Sequence, residues 1–243
     1  MRKKFPTTIL TLLIFSAALV ACGGSSSNSG TPNTIIVTED PDVTNVDADG
    51  NTSVDMALLL EQLATIPVGE LTAEEVAGLL FMREEEKLAF DVYTQLGAVW
   101  QQAIFDNIAT AELTHTEAVL TLLERYELTD PVGSNDVGVF EDPILQGLYD
   151  LLVASGNASL IDALLVGAEI EEIDILDLET HLENLVENED IELVYENLQK
   201  GSRNHLRAFV RVLDAQSFTY VPQHLSPEDY SDIVNTPTET GAP

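Results

Sequence analysis

One cysteine, Cys22, stands in 243 residues, so no intrachain disulfide can form and no thiolate pair is available for a cysteine-ligated iron site. Basic residues are also scarce, with 10 Lys and Arg against 42 Asp and Glu and a formal net charge of −32. A phosphate backbone is repelled by such a chain, which excludes nucleic acid as a partner class. The apolar run from Ile9 to Leu19 is shorter than the roughly 20 residues that a membrane-spanning helix needs. Alternating apolar and polar segments are few and no internal repeat recurs, which leaves long helical periods as the dominant pattern.

What is present begins with an address. Arg2, Lys3 and Lys4 precede the apolar run, and Leu19-Val20-Ala21-Cys22 closes it in a form that resembles the lipobox of bacterial lipoproteins. The resemblance implies a signal peptide and lipobox over residues 1–22, lipidation at Cys22 and attachment to a membrane of the bacterial cell envelope. Gly23 is not the aspartate that retains such proteins in the inner membrane, which favours the outer membrane, or a periplasm-facing site, if the cell is Gram-negative. Loss of the three leading cations leaves 7 basic residues and a charge of −35. Residues 23–53 are rich in Ser, Gly, Asn, Thr and Asp without a sustained hydrophobic period, and read as a disordered tether. Within it, Asp47-Ala48-Asp49-Gly50-Asn51 faintly matches a calcium loop, but Leu58 stands where the closing glutamate belongs, so the segment reads as linker. Residues 54–234 then form one domain, and residues 235–243 a flexible tail.

The domain reads as all-α. A short helix spans Asp55 to Ala64. Thr72 caps a long second one, with Glu75 completing a capping box. Its core stripe runs through Gly78, Met82, Glu85, Ala89, Val92, Leu96 and Val99, leaving Glu84 and Glu86 on solvated faces. After a tight turn at Val99 to Gln102, the next stripe takes Ile104, Ile108, Glu112, His115, Val119, Leu122 and Tyr126. At about 1.5 Å per residue, Glu85 and the Glu112/His115 pair lie at nearly the same height on an antiparallel hairpin. Residues 128–157 form a long crossover holding one short helix, Ile144 to Ala154. Ser159 starts another long helix with Glu171, Glu172 and Asp174 crowded together. The last long helix has Asp190 as its cap and carries Ser202 and His205 on its core stripe.

Acids and imidazoles at core positions require partners, because an unpaired buried carboxylate costs several kcal/mol, on the order of a broken buried ion pair. A metal ion held by Glu85, Glu112, His115, Glu171 and His205, with Asp174 or Glu172 as a further carboxylate, satisfies that requirement. The bland alternatives are ion pairs with arginine and a carboxylate bonded only to its neighbouring imidazole. Arg203, Arg207 and Arg211 form a ladder away from His205, read as a salt-bridged face against the acidic helices.

Met82-Arg83-Glu84-Glu85-Glu86-Lys87-Leu88-Ala89, Asp91-Val92-Tyr93, Glu112-Leu113-Thr114-His115 and Gly201 to Phe209 together resemble an uncharacterised bacterial domain family of the ferritin-like superfamily, relatives of rubrerythrin-type bundles. The resemblance implies a ferritin-like four-helix bundle in which two helices each give a Glu and two give Glu-x-x-His. Ser202 departs from that pattern, standing in the glutamate position before His205. The resemblance further implies iron or manganese, with zinc compatible, as one or two ions, and an enzyme, if it is one, of di-metal ferroxidase or peroxidase type. The rival expectation is a non-catalytic acidic surface module, with a protein partner or a second copy as its ligand.

Overall fold

The computed structural model describes residues 42–243; Cys22, the lipobox and the first part of the expected tether lie outside the described residues. The elements in order are β1 (Thr44–Val46), β2 (Thr52–Val54), α1 (Met56–Leu63), α2 (Ala73–Trp100), α3 (Ala103–Arg125), α4 (Pro143–Gly156), α5 (Leu160–Asn184), α6 (Glu189–Ala215) and α7 (Pro227–Val234). The fold is therefore all-α apart from one short antiparallel hairpin.

Side chains just ahead of the helices set their starts. Asp55, Asp142, Ser159 and Ser226 each sit in extended backbone and accept first-turn N–H groups of α1, α4, α5 and α7. Thr72 and Glu75 form the expected reciprocal capping box on α2. Gln101, in the left-handed region at φ 52°, reverses the chain between α2 and α3. Asp190 does not cap α6 as expected, since Asn188 precedes the helix. The Asp190 carboxylate instead accepts from Arg125 at 2.7 Å and from the Tyr126 hydroxyl at 2.6 Å.

The four long helices pack as two hairpins, α2 on α3 and α5 on α6, which meet through α3 against α6 and α2 against α5. α4 lies across α2 and α5. Apolar side chains gather in two clusters. One holds Leu88, Val92, Phe105, Ile108, Leu164 and Phe209, the other Leu79, Met82, Val119, Leu122, Ile191 and Leu198. On every long helix the residues between the clusters are polar and buried: Arg83 to Lys87, Glu112 with His115, Glu171 with Glu172 and Asp174, and Ser202 to His205, broken on α6 only by Arg203, which is half-buried.

Three expectations need correction. Residues 44–53, assigned to the disordered tether, form the hairpin together with Val54. The Asp47 carboxylate accepts the N–H groups of Asp49 and Asn51, and Gly50 takes φ +84°. Strands of three residues carry no readable period, and their outer partners come from distant helices: Val54 N–H donates to Thr114 Oγ1 at 2.8 Å. The tail is tied down as well. Glu239 receives Arg203 at 2.6 Å and Arg207 at 2.8 Å, so these two arginines of the ladder hold the tail, and Arg211 the hairpin turn, rather than the acidic helices. Glu84 and Glu86, expected on solvated faces, are buried because α3, α5 and the crossover enclose α2. Glu84 accepts the N–H groups of Glu141 and Asp142 ahead of α4.

α5 and α6 approach closely at Gly167, where a Cβ would lie inside van der Waals contact with the Phe209 ring. Gly167→Ala is expected to destabilise the protein by about 1–3 kcal/mol through overpacking, read as a lower midpoint in denaturant unfolding.

Candidate metal centre

The polar slab brings Glu86 of α2, Glu112 and His115 of α3, Glu171 of α5 and His205 of α6 to one point. His115 and His205 are 0% exposed and stack with ring centroids 5.4 Å apart and planes 18° apart. Glu112 lies between them, its Oε2 2.9 Å from His115 Nδ1 and its Oε1 2.8 Å from His205 Nδ1. Glu86 approaches His115 Nδ1 at 3.6 Å, and Glu171 approaches His205 Nδ1 at 3.6 Å. Two three-residue groups result, Glu86/Glu112/His115 and Glu112/Glu171/His205, each with its ligating atoms within 4.8 Å of one another.

Distance and direction disagree at this point in an informative way. Neither Nδ1 has an in-line hydrogen-bond partner although Glu112 is close to both, and Glu86 Oε1 has no donor at all. Five side chains therefore aim polar atoms at a common place without bonding one another well. Three carboxylates and two imidazoles form a donor set that fits a divalent transition metal, the oxygens offsetting charge and each imidazole ligating from one side.

Charge coupling follows from the same geometry. Burial pushes the Glu86 carboxyl up to about 7, with Glu112 adding to the rise and His115 opposing it. Burial also works to raise Glu112, but the two imidazoles prevail and hold it well below the usual carboxylate range. Glu171 is raised, first by burial and then by Glu112. Burial works to lower both imidazoles. Glu112 foremost overcomes it, lifting His115 and taking His205 up to about 9.

Neighbouring residues hold this arrangement. A Cβ on Gly201 would stand 2.6 Å from His115 Cε1, so glycine is what lets the imidazole lie against α6. The buried Tyr93 hydroxyl donates to Glu171 Oε1 at 2.5 Å. Thr114 Oγ1 donates to Ala111 O at 2.7 Å while accepting Val54 N–H, which anchors the hairpin beside His115.

Of the residues expected from sequence, Glu112, His115, Glu171 and His205 come together. Glu85 and Asp174 line the same cavity of about 10 Å³ as Glu86, Glu112 and Glu171, but neither joins a three-residue group. Asp174 accepts the Ser202 hydroxyl on Oδ2, and its Oδ1 has no donor. Glu172 points elsewhere, accepting the N–H groups of Gln223, His224 and Leu225. Glu86, Tyr93 and the hairpin residue Thr52 take part without having been expected. The run Glu84-Glu85-Glu86 was the available signal for Glu86, but three successive residues point about 100° apart and a single stripe admits only one of them.

Fold and site together define an all-α protein with buried acid and histidine groups able to hold a metal ion. The chain belongs to the uncharacterized protein domain family DUF2202, which matches residues 75–237. Over 183 residues it is 50% identical to uncharacterized protein MJ0754 of Methanocaldococcus jannaschii, covering 75% of this chain and 98% of that one. The crystal structure of that hypothetical protein aligns with a TM-score of 0.70 over 72% of this chain and 99% of its own. An archaeal relative this similar shows that the family is not confined to bacteria.

Glu85 is 5% exposed and neither of its oxygens has a donor. Burial first, and then Asp174 and Asp177, hold its carboxyl well above the usual range. In the window between the ordinary carboxylate pKa and this raised value, the folded chain keeps a proton that the unfolded chain releases. Its contribution to stability is therefore lost as pH rises through that window. Glu85→Gln is expected to stabilise the metal-free protein at pH 7 by on the order of 1–3 kcal/mol. Thermal unfolding of both forms across pH 5 to 8 should show the wild type losing stability more steeply.

Proposed function

We propose that the protein is a metal-binding member of the ferritin-like superfamily, holding one or two iron or manganese ions at Glu86, Glu112, His115, Glu171 and His205. Zinc fits the same donors by ligand type. The observation that carries this reading is the pair of fully buried histidines, each aiming Nδ1 at the shared Glu112 without an in-line partner. Side chains of all four long helices converge, as in bundles where two helices each give a Glu and two each give Glu-x-x-His. Ser202 stands three residues before His205 where that pattern has its last Glu, and Asp174, bonded to the Ser202 hydroxyl, is the nearest replacement carboxylate.

In this reading Glu86, Glu112 and His115 would hold one ion and Glu112, Glu171 and His205 the other, with the Tyr93 hydroxyl holding Glu171 in place. The two apolar clusters on either side exclude water from the layer. Bound iron or manganese would supply redox chemistry toward oxygen or peroxide, making the protein a ferroxidase or peroxidase in iron or peroxide handling. Anchoring in the cell envelope through Cys22 is part of the proposal and rests on residues 1–22 of the sequence alone.

Metal content by mass spectrometry of the full-length chain, loaded anaerobically with Fe(II) or with Mn(II), tests the reading. Glu112 serves both positions, so Glu112→Ala is expected to lose all tightly held metal, whereas His205→Ala loses only part. A folded wild type that retains no metal would overturn it and favour the acidic interaction module instead.

A further inference from the structure

Thr52 lies outside the family match, on the strand edge that faces the centre. It is opposite Val46 in the hairpin, yet its main-chain groups are turned away from β1. Alternate residues of an antiparallel ladder direct both N–H and C=O outward. Here the two groups meet the two histidines. The Thr52 carbonyl accepts from His115 Nε2 at 3.0 Å, and the Thr52 N–H donates to His205 Nε2 at 3.0 Å.

A carbonyl can only accept, so His115 must carry hydrogen on Nε2. Its neutral form then presents a bare Nδ1 to Glu86 and Glu112, ready to ligate. An amide N–H can only donate, so His205 must keep a lone pair on Nε2. The ring hydrogen of neutral His205 therefore sits on Nδ1, facing Glu112 and Glu171. Two residues that look equivalent in the sequence pattern are held in opposite tautomers by one strand residue.

We propose that Thr52 is a positioning residue that makes the two half-sites unequal, so that the first metal ion enters at Glu86/Glu112/His115 and the second, at Glu112/Glu171/His205, follows more weakly. Unequal loading rests on the metal reading above; the opposite tautomers do not. For neutral His205 to ligate through Nδ1, the Thr52 N–H must withdraw so that the ring hydrogen can move to Nε2, because loss of that single hydrogen as a proton would leave an imidazolate. Neutral His115, with its hydrogen already on Nε2, needs no such rearrangement.

The support of Thr52 is built for rigidity. Asn204 Nδ2 donates to Thr52 Oγ1 at 2.9 Å, and Asn204 Oδ1 accepts the Glu239 N–H at 2.8 Å. Arg207 donates to the same Oδ1 at 3.0 Å, and Arg211 donates to Asp49 O in the hairpin turn. Hairpin, α6 and tail thus lock together around the residue that sets the histidines.

Two measurements on the full chain test the proposal. Long-range ¹H–¹⁵N spectra of the metal-free protein, recorded above about pH 9 where His205 is neutral, should show hydrogen on His115 Nε2 and none on His205 Nε2; hydrogen on Nε2 of neutral His205 would overturn it. Calorimetric titration with Mn(II) should show two steps separated by roughly ten-fold or more in affinity. Glu86→Gln should remove the tighter step and Glu171→Gln the weaker. Thr52→Pro deletes the N–H while keeping the carbonyl and should bring the steps together, whereas Thr52→Val keeps both groups and should leave them apart. Two ions bound equally by the wild type would overturn the ordering alone. No bound ion would overturn the ordering together with the metal reading, while the tautomers would still be read directly by the spectra.

Discussion

The described residues are arranged around a layer of buried carboxylates that no lysine or arginine among them neutralises. Glu86, Glu112 and Glu171 have ion-pair partners only in His115 and His205, and Glu85 and Asp174 have none among the described residues. The nearby cations are committed elsewhere: Arg83 to Asp130, Lys87 to Asp91 and Lys200 to Asp42. A layer with this excess of negative charge is stable only if protons remain on some acids or a cation enters. Proton retention at Glu86, raised to about 7, and cation binding compete for the same oxygens, which ties folding stability to metal occupancy in a single set of side chains.

The slab interrupts an otherwise ordinary core. Two apolar clusters lie on either side of it, and burial at both ends supplies the driving force that keeps the polar middle out of water. The acids that do not face the centre fasten peripheral segments to the long helices. Glu84 gathers N–H groups ahead of α4, Glu172 gathers those of residues 223–225, and Glu75 takes the N–H groups of Glu187 and Asn188 between α5 and α6. Charge-assisted bonds of this kind are strong where water is excluded, so each of these acids ties its loop to a long helix. A buried minority of the acids thus serves structure rather than surface charge.

The hairpin is where local and global structure part company. Its turn is specified locally, by Asp47 bonding to residues 49 and 51 and by Gly50 at positive φ. Its position is not, because its outer edge bonds to Thr114, His115, His205 and Asn204, residues about 60 to 150 positions later. Thr114 and Asn204, beside the two histidines in sequence, serve this docking. The motif residues around the imidazoles are therefore explained by what holds the strand as much as by what faces a metal.

By itself the sequence determined the helices and their starts, since the Thr72–Glu75 box, Ser159 and the break at Gln101 act through bonds within a few residues. It also determined that Glu112, His115 and His205 face the interior, because a helix covered on one side shows its buried stripe as a period of three and four. Tertiary structure alone decided that Glu86 rather than Glu85 stands beside His115, since α2 is enclosed on all sides and its three successive acids each find a different neighbour. It alone decided that the segment around Thr52 is ordered and bonded to both histidines. A three-residue strand has no period to read, and its order comes from hydrogen bonds to helices that exist only once the bundle has formed.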